Sequence, residues 1–538
     1  MTSALPYAYS IPHLGNFVGS ILPADVYFKY LKMCEKDAIF ICGSDQHGTP
    51  IELRAIKEKT TPDKLSNEMH AKIKAAFEKL GCTFTFYGKT HTEENKSIVY
   101  SIFEALTKNG YIAETHAEHA YCNFDKRFLV DRFIEGTCPF CKSTKARGDQ
   151  CDDCGRLLDP IQLIDPHCMI CGKSEVSFRK VKNLALDLGK LQPAIAKFIM
   201  DSSTNGWSRN ALNKSSGSIR EGLKARDITR NMEWGFPVPV KGFENNVFYV
   251  WFDAIIGYIG ISKEWSNTLW DKYWMDPKAK LIQFMGKDNI EFHTIMWPGV
   301  LLGSTLGFTM PHTIKAYEYL TSKSIKFSKS RGIGLNVETA LSIAEADYWR
   351  FALIGMLPET SDSEFNAELF DEQVNKIMNG KIGNLIHRVL TIARSNIKLL
   401  PVPVEDNYPE VAEIVKNYSQ SFDNIRLRDA QKAIIDLAEL GNSLINATEP
   451  WALAKAAAQD KEKAKEFANI MGKLIRIIYS ISIMLHPFSP EASANAMGYF
   501  KVGSPSIHIL ESKIELDLEI PLAPIFHRVE VKNLAKFA

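Results

Sequence analysis

Ala38-Ile39-Phe40-Ile41-Cys42-Gly43-Ser44-Asp45 is an unbroken apolar run that ends in small and acidic residues. Such a run suits a parallel strand buried on both faces. The flanking sequence extends the pattern. Residues 3–7 form a short strand candidate, and residues 14–33 place Phe17, Val18, Ile21, Val26 and Leu31 on one broad apolar face at helical spacing. Pro23 inside that helix should bend it. Residues 51–59 and 62–80 read as helix again. This alternation predicts an α/β fold with a doubly wound, Rossmann-type parallel sheet. Ligands of such sheets sit beyond the carboxyl ends of the strands, where Tyr7, His13 and Asp45 fall.

From 115 to 178 the pattern breaks. Cysteines, turns and charges dominate, and the stretch reads as an insertion with its own small core. Helical signal resumes at 193–201 and 216–223. Strand signal returns at 247–251 and 281–285, and both read as the second half of the same sheet. From 371 onward apolar stripes recur at three- and four-residue spacing over 377–396, 427–447 and 466–485. Pro401, Pro403, Pro409, Pro450 and Pro487 fall near their ends, which predicts an all-helical bundle. The tail after 507 alternates weakly and is expected to return as strand or coil.

With 538 residues the chain exceeds what one core can organise. Its 45% apolar and 24% charged content is that of an ordinary globular protein. No apolar run reaches the roughly 18 residues a membrane span needs, and 246–261, the nearest, carries Asp253. The first residues lack the basic and apolar regions of a signal peptide, so a cytoplasmic protein with no membrane partner is expected. A net charge of +1 argues against a nonspecific nucleic-acid coat and leaves room for a substrate held by local patches.

Of the ten cysteines, Cys34, Cys42 and Cys82 stand apart and read as small buried residues. The other seven fall between 122 and 171 and read as metal ligands before disulfides. Two stretches align as a repeat. Cys122 and Asp125 precede Cys138 and Cys141 much as Cys151 and Cys154 precede Cys168 and Cys171. The tandem reading gives the second unit four thiolates, enough to close a tetrahedral structural zinc site. The first has three, with Asp125 in the fourth place. One or two zinc ions are therefore expected. A different pairing joins Cys138 and Cys141 to Cys151 and Cys154 and leaves Cys168 and Cys171 spare.

His13-Leu14-Gly15-Asn16 lies at the expected strand-to-helix turn. A helix N-terminus offers N–H groups and positive potential to phosphate, and Gly15 permits close approach. Far downstream, Lys326-Phe327-Ser328-Lys329-Ser330 puts two cations on one loop, and Gly332 and Gly334 keep it pliable. A loop of this kind can close over a triphosphate.

These two segments resemble the signature motifs of class I aminoacyl-tRNA synthetases. Asn16 replaces the second histidine of the first motif, and Phe327 replaces methionine in the second. The stretches Ala4-Leu5-Pro6-Tyr7, Gly43-Ser44-Asp45-Gln46-His47-Gly48-Thr49-Pro50, Tyr249–Tyr258 and Gly286-Lys287-Asp288 with Phe292-His293 are similar to the methionyl branch, in its archaeal and eukaryotic form. The resemblance runs over essentially the whole chain and implies ATP, L-methionine and tRNA(Met) as substrates, with Mg²⁺ carried by ATP. It implies that His13, Lys326 and Lys329 are catalytic, and that Gly15, Asn16, Ser328 and Asp288 join them around ATP. Asp45 would hold the amino group of methionine. Ala4, Leu5, Tyr7, Trp251, Ala254, Tyr258 and His293 would surround the rest, with Arg230 near the carboxylate. A thioether favours such aromatic neighbours. Asn384, Arg388 and Trp451 would read the anticodon, and Asn384 and Arg388, four apart, share a helix face.

The implied division is a catalytic domain in two halves, 1–114 and 225–315, around the cysteine-bearing insertion 115–224. A linking region at 316–370 and a helical anticodon-binding region at 371–538 follow. A synthetase for leucine, isoleucine or valine would carry a larger editing insertion, and one for cysteine would hold zinc in its active site. A tRNA-binding module without catalysis would not need the signature lysines. A monomer is expected, with a separate tRNA-binding partner as an option.

Overall fold

The computed structural model describes residues 1–148, 151, 154, 156, 158–322, 325–326, 335–400 and 408–536. Its first strands are β1 (Thr2–Ser3), β2 (Ile41–Ser44) and β3 (Phe86–Lys89). The insertion opens and closes on β4 (Ile112–Cys122) and β5 (Val176–Leu186), and the chain then returns through β6 (Leu281–Gly286) and β7 (Pro311–Tyr317). The central sheet is all parallel, in the order β7-β6-β1-β2-β3. Thr2 lies opposite both Gln283 and Ile41, so the N-terminal strand is the middle of the sheet. Helices cover both faces, as the apolar runs require. Gly43 allows β2 to run close to β3, since a Cβ there would lie 2.5 Å from the Gly88 carbonyl oxygen.

Two expectations need correction. Residues 247–251 do not join the central sheet. Val247–Phe248 pairs with Thr229–Arg230 instead, and Val250–Trp265 is a helix. The apolar run there is buried on all sides, and such a run cannot be told from a strand by periodicity alone. The second concerns Pro23. It stands in the first turn of the helix Leu22–Met33, just after a π-helical turn at Phe17–Ile21. The irregularity sits before the proline, where the missing N–H costs nothing.

The insertion is built on an antiparallel ladder. All eleven residues of β4 pair with β5, from Ile112 opposite Leu186 to Cys122 opposite Val176. Beyond its tip, Ile134–Thr137 pairs with Ala146–Arg147 and Ile164–Cys168 around a core of Leu129, Phe133, Ile134 and Leu163.

The C-terminal region is helical as expected, with Asn384–Ser395, Pro409–Asp423, Leu427–Thr448 and Lys461–Met484 as its main members. Lys461–Met484 is long and apolar enough to cross a membrane, but 78% of its apolar window is buried inside the molecule. The tail returns mostly as coil, with a short 3-10 helix at Ile507–Glu511 and a single bridge between Phe500 and Leu516.

One buried polar cluster joins the sheet domain to the helical region. Arg350 is fully buried. It pairs with Asp25 (2.6 Å) and donates to the carbonyls of Leu80 (3.2 Å), Pro487 (2.7 Å) and Phe488 (3.1 Å). Lys29 donates to both oxygens of the same Asp25, at 2.7 and 2.8 Å.

Candidate active site and metal clusters

An open cleft lies at the carboxyl ends of β1 and β6, where ligands of parallel α/β sheets bind. His13, Gly15 and Asn16 line one wall, Ala4 and Leu5 the floor, and Asp288, Glu318 and Tyr319 the other wall. Three segments far apart in sequence thus meet at one site. His13 caps the helix that begins at Leu14. Its Nδ1 accepts the Asn16 backbone N–H at 3.1 Å, and the Asn16 side-chain oxygen accepts the His13 N–H at 3.3 Å. In this reciprocal cap the Asn16 backbone N–H holds the imidazole, and the Asn16 side chain satisfies the His13 backbone N–H.

The loop 327–334, with Ser328 and Lys329, lies outside the described residues. So does the side chain of Lys326, whose backbone pairs with Thr321. Both ends of that loop are at the cleft. Leu320, which lines it, begins the strand that pairs with Ile325–Lys326. On the other side the Leu14 N–H donates to the Leu335 carbonyl at 2.9 Å, and His13 forms a bridge with Asn336.

A second group of predicted residues sits deeper, reached through Leu5 and Tyr7. Tyr7 meets Trp251 edge-on at 6.1 Å, and Trp251 stacks on Phe292 at 3.8 Å and 9°. Phe292 is not among the residues the family resemblance assigns to the site. Its place in the stack comes from the turn after β6. Ala254 and Tyr258 lie on the same helix as Trp251 and are buried. The Tyr258 hydroxyl meets His293 Nε2 at 2.8 Å, and His293 Nδ1 donates to the Asn289 carbonyl at 2.9 Å. That arrangement assigns the ring proton to Nδ1 and makes Nε2 the acceptor. Burial pushes the imidazole of His293 down to about 4, so it is neutral near pH 7.

Asp45 is 3% exposed at the end of β2. Burial, then the nearby Asp253 carboxylate, push its carboxyl well above the usual range, opposed by the His47 backbone N–H. Arg230 stands over the ring of Tyr249, 4.1 Å from its centroid, and 3.6 Å from Asp227. It is not among the residues that line the cleft.

The cysteine pairing differs from the tandem reading. Cys138, Cys141, Cys151 and Cys154 form one cluster, and Cys122, Asp125, Cys168 and Cys171 form another. The clusters are nested rather than consecutive. Of the two pairings, the second holds for the inner set, but Cys168 and Cys171 are not spare: they join Cys122 and Asp125. Spacing alone could not decide this, because the ladder brings Cys122 back beside Val176 and so beside the later cysteines. Within the clusters, the sulfurs of Cys141 and Cys151 are 3.6 Å apart, those of Cys138 and Cys154 3.9 Å, and those of Cys122 and Cys171 3.7 Å. These are far beyond a disulfide bond and match the ~3.8 Å edge of a tetrahedron of thiolates around zinc. Asp125 Oδ2 stands 3.1 Å from the Cys168 sulfur. Both donor sets fit structural zinc.

In the helical region Asn384 and Arg388 share a face, and the Arg388 guanidinium lies 5.9 Å from the ring centroid of Trp451. Trp451 is 43% exposed. It is therefore not a core residue, although its Pro450 neighbour is buried.

Comparisons with known proteins agree along the chain. The family model described as tRNA synthetases class I (M) matches residues 1–390. The model described as the anticodon binding domain of methionyl tRNA ligase matches 404–510. A methionine–tRNA ligase of Pyrobaculum islandicum is 40% identical over 514 residues, covering 94% of this chain and 89% of the relative. A probable cytoplasmic methionine–tRNA ligase of Dictyostelium discoideum is 36% identical and covers 100% of this chain and 74% of the relative. In fold, the chain is similar to Mycobacterium tuberculosis methionyl-tRNA synthetase in complex with methionyl-adenylate, with a TM-score of 0.80 at 19% identity over 98% of each chain. The chain belongs to the class I methionyl-tRNA synthetases.

Proposed function

We propose that this protein joins methionine to tRNA(Met) in two steps. A methionine carboxylate oxygen attacks the α-phosphorus of ATP, the bond to the β-phosphate oxygen breaks, and pyrophosphate leaves. The terminal ribose hydroxyl of the tRNA then attacks the carbonyl of methionyl-adenylate and AMP leaves. Class I membership implies the 2′-hydroxyl. The observation that carries this reading is the relative named methionine–tRNA ligase, 40% identical over 94% of the chain.

The residue roles are ours. His13, Lys326 and Lys329 meet charge that grows on the phosphates. With Nδ1 engaged by Asn16, contact from His13 comes through Nε2. Gly15, Asn16, Ser328 and Asp288 complete the ATP site, and Mg²⁺ accompanies the triphosphate. Asp45 takes the ammonium. Ala4, Leu5, Tyr7, Trp251, Ala254, Tyr258 and His293 enclose the thioether, and Arg230 serves the carboxylate. The Tyr7–Trp251–Phe292 stack supports this, since sulfur favours ring contacts. The cysteine modules are two zinc knuckles that hold the insertion together, and the C-terminal helices are an anticodon-reading bundle. Trp451 offers a stacking face for an unpaired base beside Arg388. The division at 1–114, 115–224, 225–315, 316–370 and 371–538 follows these roles. The protein works in the cytoplasm as a monomer, with room for a separate tRNA-binding partner.

The test is methionine-dependent pyrophosphate–ATP exchange with Lys329→Ala. Loss of turnover is expected with methionine binding kept, because the charge it meets develops in the transition state. Weaker methionine binding at unchanged turnover would refute the role. Exchange driven by another amino acid would refute the substrate.

A further inference from the structure

His47 and Asp253 belong to no role above, yet they sit directly behind Asp45. His47 is 1% exposed, Asp253 0% and Asp45 3%. Two carboxylates and one imidazole therefore share a dry space. The His47 backbone N–H donates to Asp45 Oδ1 at 3.1 Å. Its ring Nδ1 bonds to Asp253 Oδ2. Its other nitrogen, Nε2, lies 2.8 Å from His91 Nδ1. The second oxygen of Asp253, Oδ1, has no hydrogen-bond partner among the described residues.

The ring cannot turn away from this arrangement. Phe236 meets it edge-on at 4.7 Å and Trp234 at 5.6 Å. Trp234 is itself pinned, its indole N–H donating to the Gln46 carbonyl at 2.6 Å. His47 also bridges two elements that must stay in register. Asp45 ends β2, whereas Asp253 lies on the helix that carries Trp251, Ala254 and Tyr258.

Charge makes the bridge more than a staple. Each carboxylate is held up by burial, and Asp253 pushes Asp45 further. Two anions so placed do not both stay ionised unless a proton is kept near them. His47 meets Asp253 at one ring nitrogen and His91 at the other. Burial, with His47, lowers His91 to about 4, so His91 is a neutral partner near pH 7. A hydrogen bond between Nδ1 and the Asp253 carboxylate keeps a proton on that side of the ring.

We infer that His47 is a positioning residue for methionine binding: the proton held between its ring and Asp253 offsets that carboxylate, so that Asp45 remains the ionised carboxylate that meets the substrate's ammonium. This rests on the assignment of Asp45 to the ammonium. The groups around His47 are Asp45, Asp253 and His91, and around His91 stand Asp63, Lys89 and Glu93.

The experiment uses the full chain and L-methionine in pyrophosphate–ATP exchange between pH 6.5 and 8.5. The variants are Asp45→Asn, His47→Gln, Asp253→Asn and the double His47→Gln/Asp253→Asn. His47→Gln should raise KM for methionine about tenfold near pH 7, the scale of losing one hydrogen bond to a charged group. Its kcat should stay within about threefold, because the ammonium contact is the same in substrate and transition state. The KM defect should shrink as pH rises, since a carboxylic acid ionises above its pKa. Asp253→Asn removes the repelling charge, so the double variant should recover most of the loss.

A purely structural staple behaves differently. A double variant as poor as His47→Gln alone, or a defect independent of pH, overturns the inference. Normal KM in His47→Gln with a defective Asp45→Asn overturns it and leaves the ammonium assignment intact. Normal KM in Asp45→Asn overturns both. If His47→Gln fails to fold, Asp253→Asn still decides: a KM loss of tenfold or more there contradicts the charge argument.

Discussion

Arg350→Met removes the cation at the joint between the sheet domain and the helical region. The native guanidinium pairs with Asp25 at 2.6 Å and serves three buried carbonyls, those of Leu80, Pro487 and Phe488. Methionine fills similar space but leaves all four acceptors without that donor. Lys29 still compensates Asp25, so the charge is not orphaned. Breaking a buried pair costs about 3–5 kcal/mol, and a buried carbonyl left unpaired adds about 1–3 kcal/mol unless water reaches it. The total is not a sum, because the groups relax together, and ~3–5 kcal/mol is the expected loss. A domain is stable by about 5–15 kcal/mol, so this is a large share. Urea unfolding followed by circular dichroism and tryptophan fluorescence reads it. Arg350→Lys keeps charge on Asp25 but reaches fewer carbonyls and should lose ~1–3 kcal/mol. Both variants within about 1 kcal/mol of the parent would show that the joint contributes little and refute the reasoning. Asp25 adds a pH signature. Burial pushes its carboxyl up, but Lys29 and Arg350 more than offset this and hold it below its ordinary value. Its contribution is therefore present above the usual carboxylate range and lost as pH falls through it, and Arg350→Met should flatten that loss.

Native mass spectrometry should find two zinc ions per chain, and Cys122→Ser and Cys168→Ser should each remove the same one while Cys151→Ser removes the other. Tandem pairing would instead make Cys151→Ser and Cys168→Ser equivalent. His486 is lowered to about 4, chiefly by burial. Between about pH 6.5 and 4 the unfolded chain binds a proton there that the folded chain refuses, so stability falls as pH drops through that window. His486→Gln should give a shallower fall in urea midpoint over the same range, and an unchanged slope would contradict the assignment. Trp451→Ala should lower aminoacylation of tRNA(Met) about tenfold or more, given ~1–3 kcal/mol per stacked base, while methionine-dependent exchange stays normal. Equal loss of both activities would place Trp451 in folding rather than in tRNA reading.

The parallel sheet was legible because Ala38–Asp45 and 281–285 carry short apolar runs that end in small and polar residues, as strands covered on both faces do, and the C-terminal helices because their stripes persist over several turns. The region 247–265 was misread at its start, since full burial erases the periodicity that separates strand from helix. The first-motif residues His13, Gly15 and Asn16 line one cleft with Asp288. The cysteine partners were not legible, because which pairs meet depends on an antiparallel ladder formed by residues on both sides of them. His47 and Asp253 were also missed as a pair. They lie 206 positions apart, and nothing local marks either as more than a core residue.

The nested clusters carry a further implication. The outer ligands sit where the two long insertion strands finish and restart, at Cys122 and at Cys168 to Cys171. The inner module, which carries Cys138, Cys141, Cys151 and Cys154, is thus a side excursion hung from a clasp whose jaws already touch. Lengthening, trimming or exchanging that excursion need not shift the rungs beneath it, since the entry and exit points stay put.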